Sequence, residues 1–410
     1  MLLMILVYVQ WIMFSLFVVL LYICPSSYLI SSSYTLKYIN WNGPLAIKII
    51  QIACSQLCST DQNYKPLLSL LDHVPAHSIA HTCNVLRSAG ILGDIAYIDH
   101  EPLGSGSMAQ VHRCQLVDDP HMYVVKVLHP NALRLEMDLS VVENIIYFVL
   151  MLAGSNIICL DEFVEGIRSQ SDLRIEAANM IQFGKSVAAT HSNLVVPMVC
   201  RYGSEYLIMS YIQARPLHTL TLSQQTDIVI QAMAVLIMSS LPNGITHGDM
   251  HAGNILCTTQ GKLVLLDFGM CFYSDNSGTS SIFELIMKLH PVPSHMSVCN
   301  FLTHIYQNQD DAQVDADALL YDLKNRTTSV DIHHAILLFL RRRNRRMRSH
   351  AFAVLLQFEQ LDAYFMRHPG QYHHDILGCA MKVVHETYTL FKCAQKHIPE
   401  CAMLCTHLVS

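Results

Sequence analysis

The chain has 410 residues, enough for one large two-lobed domain or two small ones. Its formal net charge is −6 and only 14% of its residues are charged, so it lacks the basic footprint of a nucleic-acid-binding protein and no nucleic acid partner is expected. None of its 14 cysteines forms a C-x-x-C pair, which favours buried thiols over a disulfide framework.

The first predicted element is the uncharged run MLLMILVYVQWIMFSLFVVLLYIC, residues 1–24. At about 1.5 Å per residue, a helix of this length crosses a hydrocarbon core of ~30 Å. A signal peptide is the main alternative, although the basic n-region is missing, and an internal helix of a longer chain is another. The sequence predicts a single-pass membrane anchor over 1–24, followed by a Ser/Tyr-rich linker over 25–40.

Residues 41–98 are predicted to form a helical N-terminal extension, because apolar positions recur at helical spacing from Trp41 to Gly90, with breaks at Pro66 and Pro75. The next stretch, LGSGSMAQV at 103–111, has the pattern G-x-G-x-x-A-x-V. Gly104 and Gly106 lack the Cβ that would bar close approach of the backbone to phosphates. A simple hairpin is the alternative interpretation of this stretch.

Two charged residues extend this interpretation. The alternating strand YVVKV, residues 123–127, carries Lys126 toward the protein interior. A buried lysine needs a carboxylate partner, and Glu176 in the helical run 171–185 is the candidate. Lys126 would then contact the α- and β-phosphates of a nucleotide.

The densest set of motifs is ITHGDMHAGNILCTTQGKLVLLDFGM, residues 245–270. His247, Asp249 and Asn254 form H-x-D-x-x-x-x-N, and Asp267 opens a D-F-G triplet after a short apolar strand, which is the spacing of a kinase catalytic loop and metal loop. Phosphoryl transfer needs a carboxylate near the attacking group, together with a carboxamide and a second carboxylate to hold magnesium. The motifs therefore predict Asp249 as catalytic, Asn254 and Asp267 as metal ligands, and ATP and magnesium as cofactors.

These residues resemble the UbiB/ADCK family of atypical protein-kinase-like proteins, and more narrowly its mitochondrial ADCK branch. The resemblance rests on the stretches VVKVLHP, SDLRIEAAN, HGDMHAGNIL and LLDFGM. It implies an α+β, bilobal protein-kinase-like fold, with a small lobe and hinge over 99–215 and a helical large lobe over 216–410. It also implies a role in coenzyme Q biosynthesis, coenzyme Q biosynthetic proteins as partners, and a mitochondrial location, although no transit peptide is visible.

The resemblance assigns further residues. Lys48 and Gln51 match the family's K-x-G-Q helix, with Ile50 in place of glycine, and Asp172 matches the end of its E-x-D motif. This regulatory extension is expected to lie over the nucleotide cleft and to disfavour protein substrates. The hinge is assigned near residues 209–211, because this segment lies between the predicted helix and the catalytic loop. The complete set of predicted cofactor-binding residues is Gly104, Ser105, Gly106, Ser107, Val111, Lys126, Met209 and Tyr211.

Two other functions remain open. No A-P-E triplet follows Met270, so a peptide-binding platform is not expected. The H-G-D-x-x-x-x-N loop also occurs in aminoglycoside-kinase-like phosphotransferases, which leaves a small-molecule kinase as one alternative and a nucleotide-binding pseudokinase scaffold without turnover as another. The basic run RRRNRRMR, residues 341–348, is interpreted as a solvated helix start or as a contact to a lipid or membrane surface.

Overall fold

The structure is a computed structural model. It describes residues 2–23, 33–43, 45–47, 49–50, 74–130, 132, 135, 138–139, 160–188, 191–239, 245–273, 294–306, 311–324, 329–367, 376, 379–380 and 382–386. The chain divides into two compact units, of which unit 1 comprises 1–177 and 198–211 and unit 2 comprises 178–197 and 212–410. The lobe boundaries given above stay predictions.

Helices and antiparallel strands are both present, so the protein is of the α+β class. The helices of at least nine residues among the described segments are α1 Leu2–Ile23, α2 Ser33–Trp41, α3 Ile79–Ser88, α4 Leu160–Ser169, α5 Leu173–Phe183, α6 Leu222–Ser239, α7 His295–Ile305, α8 Asp311–Leu323, α9 Ser329–Arg342 and α10 Ser349–Arg367. The strands are β1 Ile95–Ile98, β2 Gly104–Ser105, β3 Ala109–Leu116, β4 Met122–Leu128, β5 Leu194–Val195, β6 Val199–Tyr202, β7 Tyr206–Ser210, β8 Ala214–Pro216, β9 Ile245–His247, β10 Ile255–Thr258, β11 Leu263–Leu265 and β12 Cys271–Tyr273.

Unit 1 is built on an antiparallel sheet in the order β1-β3-β4-β7-β6, with β2 paired to β3. Valine-rich β4 lies at its centre, where residues buried on both faces favour β-branched side chains. Side chains alternate between the two faces, so Val125 and Val127 lie on one face while Lys126 lies on the other.

The face that carries Val125 and Val127 is covered by α3. Val85 and Leu86 of α3 join these valines, together with Cys114 and Ile208, in one hydrophobic cluster. The part of the predicted extension that the structure describes here therefore packs on the face opposite to Lys126, rather than on the lysine-bearing face. Lys48 and Gln51 lie outside the described residues.

The predicted membrane localisation is wrong. Among the described residues, no helix has the length and apolar character that a membrane span needs. The run 1–24 contains α1, which fully buries Trp11 and Phe14 inside unit 1. Trp11 Nε1 donates a 3.3 Å hydrogen bond to Asp138, and α1 also makes an aromatic contact between Phe17 and Tyr38 of α2. Some of the apolar side chains that were expected to face lipid therefore pack against protein.

Unit 2 contains a four-stranded sheet in the order β5-β11-β10-β8 and a two-stranded sheet of β9 and β12. Twelve of the 18 residues of α6 are buried, and most of them lie in its apolar C-terminal part, which begins at Ile228. The basic run 341–348 spans the end of α9, rather than a helix start, and continues into the next connection. Arg345 Nε donates a 2.8 Å hydrogen bond to the buried Asp315, so part of this run serves internal packing.

Candidate functional site

The lysine of β4 is held by a carboxylate in unit 1. Lys126 Nζ donates a 2.7 Å hydrogen bond to Glu176 Oε1 of α5, and the two side chains are 10% and 3% exposed. The predicted pairing is therefore present in the structure. Val111 is directly opposite Lys126 in the β3–β4 ladder, so both side chains lie on the same face of the sheet. This face carries the proposed nucleotide-binding groups of unit 1.

The predicted glycine-rich stretch forms a tight hairpin. Gly104 and Ser105 of β2 pair with β3, and Gly106 N donates to Ala109 O at 2.9 Å. Among described atoms, a Cβ on Gly104 would meet nothing within 4 Å, and one on Gly106 would meet only Ala109 O, at 3.7 Å. Neither glycine has a positive φ. The fold of the described residues therefore does not require glycine at either position, which fits a surface kept open for a ligand.

The remaining predicted nucleotide contacts are less exposed. Ser107 is half-buried in the same hairpin. Met209 is a buried residue of β7, paired with Val124 on β4 and with Val199 on β6. Tyr211 N follows β7 and donates to Met122 O at 3.1 Å, so this backbone donor serves the sheet.

The catalytic-loop motif is assembled within unit 2. His247 ends β9 and is Cα-paired with Cys271 on β12, which follows the D-F-G triplet. Its ring is fully buried, and burial lowers its pKa. His247 Nε2 donates to Leu266 O at 3.0 Å, while Nδ1 accepts the Asp249 N–H at 3.2 Å. A neutral histidine thus fixes the backbone at Asp249.

Asn254 is oriented by the same loop. Its Nδ2 donates a 2.9 Å hydrogen bond to Asp249 O, which points the amide oxygen away from that carbonyl. No hydrogen bond from the described residues reaches Asn254 Oδ1. His251 accepts the Gly253 N–H at Nδ1 and places Nε2 3.8 Å from Asp249 Oδ1. The loop therefore brings the carboxylate of Asp249, predicted to be catalytic, together with the amide oxygen of Asn254, predicted to be a metal ligand.

Asp267 adopts a left-handed backbone conformation with φ of 57°. Such values are uncommon outside glycine, are tolerated by Asp, and cluster at functional sites. Asp267 Oδ1 accepts the Gly269 N–H at 3.2 Å. Phe268 is buried against His247, with ring centroids 5.0 Å apart. The D-F-G triplet is thus held by packing on the same histidine that fixes Asp249.

These oxygen donors suit magnesium. Mg²⁺ prefers oxygen ligands and is usually bound through one or two side chains together with phosphates and water. The amide oxygen of Asn254 and the carboxylate of Asp267 match that donor set. Among the described residues, no group of three or more His, Cys, Asp or Glu side chains is arranged to hold a metal ion by itself.

Of the residues assigned to the regulatory extension, only Asp172 lies in a described segment. It precedes α5 and accepts hydrogen bonds from Arg174 at both carboxylate oxygens, at 2.9 and 2.6 Å. Arg174 thereby lowers the pKa of Asp172. The structure thus gives Asp172 a local arginine partner.

Sequence reasoning missed several residues that shape these loops. Asn179 Nδ2 donates to Phe268 O and its Oδ1 accepts from Tyr273, both at 2.9 Å, which ties the D-F-G triplet to α5 within unit 2. A Cβ on Gly248 would lie 2.7 Å from the Phe272 ring and 2.9 Å from Met270 O. Asn179 lies in the SDLRIEAAN stretch and Gly248 lies in the HGD stretch. Their roles could not be predicted from these motifs, because they depend on contacts with residues that follow later in the sequence.

Comparisons with known proteins agree on one family. Residues 69–292, a little over half of the chain, match the family described as ABC1 atypical kinase-like domain. An aarF domain-containing protein kinase of Arabidopsis thaliana, named as chloroplastic, is 27% identical over 65% of this chain and 42% of its own length. The ABC1 family protein MCP2 homolog of Schizosaccharomyces pombe is 27% identical over 58% of this chain and 46% of its own.

The chain thus spans less than half the length of these two relatives. The names of these relatives give no support to the predicted mitochondrial location. The solved erythromycin complex of Rv3197 from Mycobacterium tuberculosis matches 74% of this chain and 89% of its own at 18% identity. Its TM-score of 0.43 is too low for a conclusion about shared architecture.

Proposed function

The chain belongs to the ABC1 atypical kinase-like family, and on that basis we propose that it is a magnesium-ATP-dependent atypical kinase or ATPase of the UbiB/ADCK type. The observation that carries the proposal is the geometry of the catalytic loop. Asn254 donates to Asp249 O and presents its amide oxygen, while Asp267 is held in a left-handed conformation by its packed loop. These are the three groups that magnesium-assisted phosphoryl transfer requires.

Each group has a distinct task in the proposed reaction. Asp249 orients the hydroxyl or water that attacks the terminal phosphate, by accepting a hydrogen bond from it. Asn254 and Asp267 would hold magnesium, which neutralises charge on the phosphates when bound. Lys126, oriented by Glu176, contacts the α- and β-phosphates, and the Gly104–Gly106 backbone approaches the same phosphates.

A peptide acceptor is disfavoured by the sequence of the loop. A protein kinase commonly has lysine two residues after the catalytic aspartate, where its charge neutralises the transferring phosphate; this chain has His251. His251 accepts the Gly253 N–H through Nδ1, so the ring serves the loop as an acceptor. No A-P-E triplet follows Met270. We propose water or a small molecule as acceptor, with a role in coenzyme Q or related lipid metabolism and stimulation by lipid.

The test measures what accepts the phosphate. The full chain is incubated with γ-labelled ATP and magnesium, with and without anionic liposomes, and with a peptide library. We expect slow, lipid-stimulated ATP hydrolysis or small-molecule phosphorylation that Asp249→Asn removes. Efficient peptide phosphorylation dependent on Asp249 would overturn the proposed acceptor class. Nucleotide binding without any Asp249-dependent turnover would instead indicate a pseudokinase scaffold.

A further inference from the structure

A histidine that the proposed reaction does not use contacts the glycine-rich hairpin twice. His129 follows β4, and its backbone N–H donates to Met108 O at 2.9 Å. Its side-chain Nε2 lies 3.0 Å from Gly106 O and 3.4 Å from Ser105 Oγ. His129 is only 7% exposed, whereas Gly106 is exposed, so these contacts are partly shielded from competing water. One side chain therefore fixes the carbonyl at the tip of the hairpin.

The hydrogen-bond partners determine the tautomer of His129. A carbonyl oxygen can only accept, so Nε2 carries the proton that Gly106 O receives, and Nδ1 of the neutral ring presents a lone pair. That Nδ1 lies 2.8 Å from Nδ1 of His77, which must then carry a proton and donate. His77 Nε2 accepts in turn from the hydroxyl of the buried Thr82, at 2.9 Å.

A second branch fixes the position of His77. Its backbone N–H donates to Gln110 Oε1 at 2.8 Å, and Gln110 Nε2 donates back to His77 O at 3.1 Å. Gln110 Nε2 also donates to His112 Nε2 at 2.7 Å, and His112 Nδ1 donates to Asp99 O at 2.8 Å. Every ring in this network is satisfied in its neutral form. Burial lowers the pKa values of His112 and His129, in keeping with neutral rings.

We propose that His129 is a positioning residue of the glycine-rich hairpin, held as the Nε2–H donor by His77, and that the network sets the affinity for the nucleotide phosphates. The segment that contains His77 and Thr82 thereby acts on the hairpin through hydrogen bonds and without contacting nucleotide. This inference rests on the proposed nucleotide binding for its effect on affinity. Its structural part, which concerns the tautomer of His129 and the rigidity of the hairpin, is independent of nucleotide binding.

Two substitutions separate the functions of the two ring nitrogens. In His129→Gln the amide nitrogen can reach the position of Nε2 and keep the donor to Gly106 O. In His129→Asn the shorter amide reproduces only the position of Nδ1 and loses that donor. A third variant, His77→Leu, removes the donor that fixes the tautomer of His129.

Hydrogen exchange without nucleotide tests the structural part. Gly106 N donates to Ala109 O, so its amide reports the order of the hairpin. We expect faster exchange over residues 103–110 in His129→Asn and His77→Leu, and near wild-type exchange in His129→Gln. The turn closed by the Gly261 N–H to Thr258 O hydrogen bond serves as an internal control that no variant alters. Equal exchange in all four proteins would overturn the inference, whatever the protein binds.

Titration with magnesium-ATP tests the effect on affinity. The lost hydrogen bond corresponds to roughly two- to tenfold weaker binding in His129→Asn, with recovery in His129→Gln. Wild-type affinity in both variants, with altered exchange, would limit His129 to a structural role and overturn the inference. Absence of binding by the wild-type protein would instead reject the proposed function, and the exchange data would still decide whether the network orders the hairpin.

Discussion

Lys126 and Glu176 form a buried ion pair, with Nζ 2.7 Å from Oε1 and the two side chains only 10% and 3% exposed. Removing one member of such a pair leaves an uncompensated buried charge, whereas replacing both with apolar residues is often tolerated. We predict that Lys126→Met lowers the free energy of unfolding by about 3–5 kcal/mol. The double variant Lys126→Met/Glu176→Leu should recover most of that loss.

Urea denaturation measures the stabilities, and titration with ATP separates stability from function. Because Lys126 is proposed to contact the phosphates, the double variant should be stable yet bind magnesium-ATP poorly. Equal stability of Lys126→Met and wild type would contradict the account of the pair. Wild-type nucleotide affinity in the double variant would contradict the phosphate role.

Two glycines should respond to alanine in opposite ways. A Cβ at Gly248 would lie 2.7 Å from the Phe272 ring, so Gly248→Ala should lose about 1–3 kcal/mol of stability through overpacking. A Cβ at Gly104 meets no described atom within 4 Å, so Gly104→Ala should leave stability unchanged or raise it by up to ~1 kcal/mol. Its nucleotide affinity should nevertheless fall, because the methyl group occupies space that the phosphates approach.

Thermal unfolding and nucleotide titration of the two variants check this contrast. If Gly104→Ala binds magnesium-ATP as wild type does, the hairpin does not approach phosphate at that residue. If Gly248→Ala unfolds at the wild-type temperature, the contact of β9 with the β12 region is looser than the structure indicates.

The sequence predicted the parts of the site that depend on local spacing. The H-x-D-x-x-x-x-N loop and the strand pattern around Lys126 lie within short stretches. A buried charge needs a partner of opposite charge, and this requirement indicated Glu176. The histidine network could not be predicted, because the register of β3 and β4 places Gln110 near the end of β4, and His77 reaches Gln110 and His129 from the segment before α3. The N-terminal interpretation failed because hydropathy does not distinguish lipid from protein as the apolar surroundings. The partner of Trp11 is Asp138, 127 residues away in sequence.

Acidification should lower the free energy of unfolding, because His77 is held neutral in the folded protein. Burial, followed by the neighbouring His129, His81 and His112, lowers the pKa of His77 to about 3, compared with about 6.5 in the unfolded chain. Between these values the unfolded state binds more protons, so the free energy of unfolding falls as the pH drops from 6.5 toward 3. His77→Asn lacks this titration. The stability advantage of wild type over His77→Asn should therefore shrink on acidification.

Urea denaturation at pH 7.5, 6 and 5 measures that difference. A difference between wild type and His77→Asn that is constant or grows toward pH 5 would show that His77 is not held neutral.

The proposed function depends most directly on Asp267, which is proposed to hold magnesium against a bound nucleotide. Calorimetric titration of the full chain with ATP, with and without magnesium, tests it most directly. Asp267→Asn keeps a residue that tolerates the left-handed backbone but removes the charge. Asp118 has the same kind of backbone conformation, with φ of 60°, in the turn between β3 and β4, so Asp118→Asn is the matched control. We predict magnesium-dependent ATP binding in wild type and Asp118→Asn, and its loss in Asp267→Asn with the fold retained. Undiminished magnesium-dependent binding in Asp267→Asn would contradict the account.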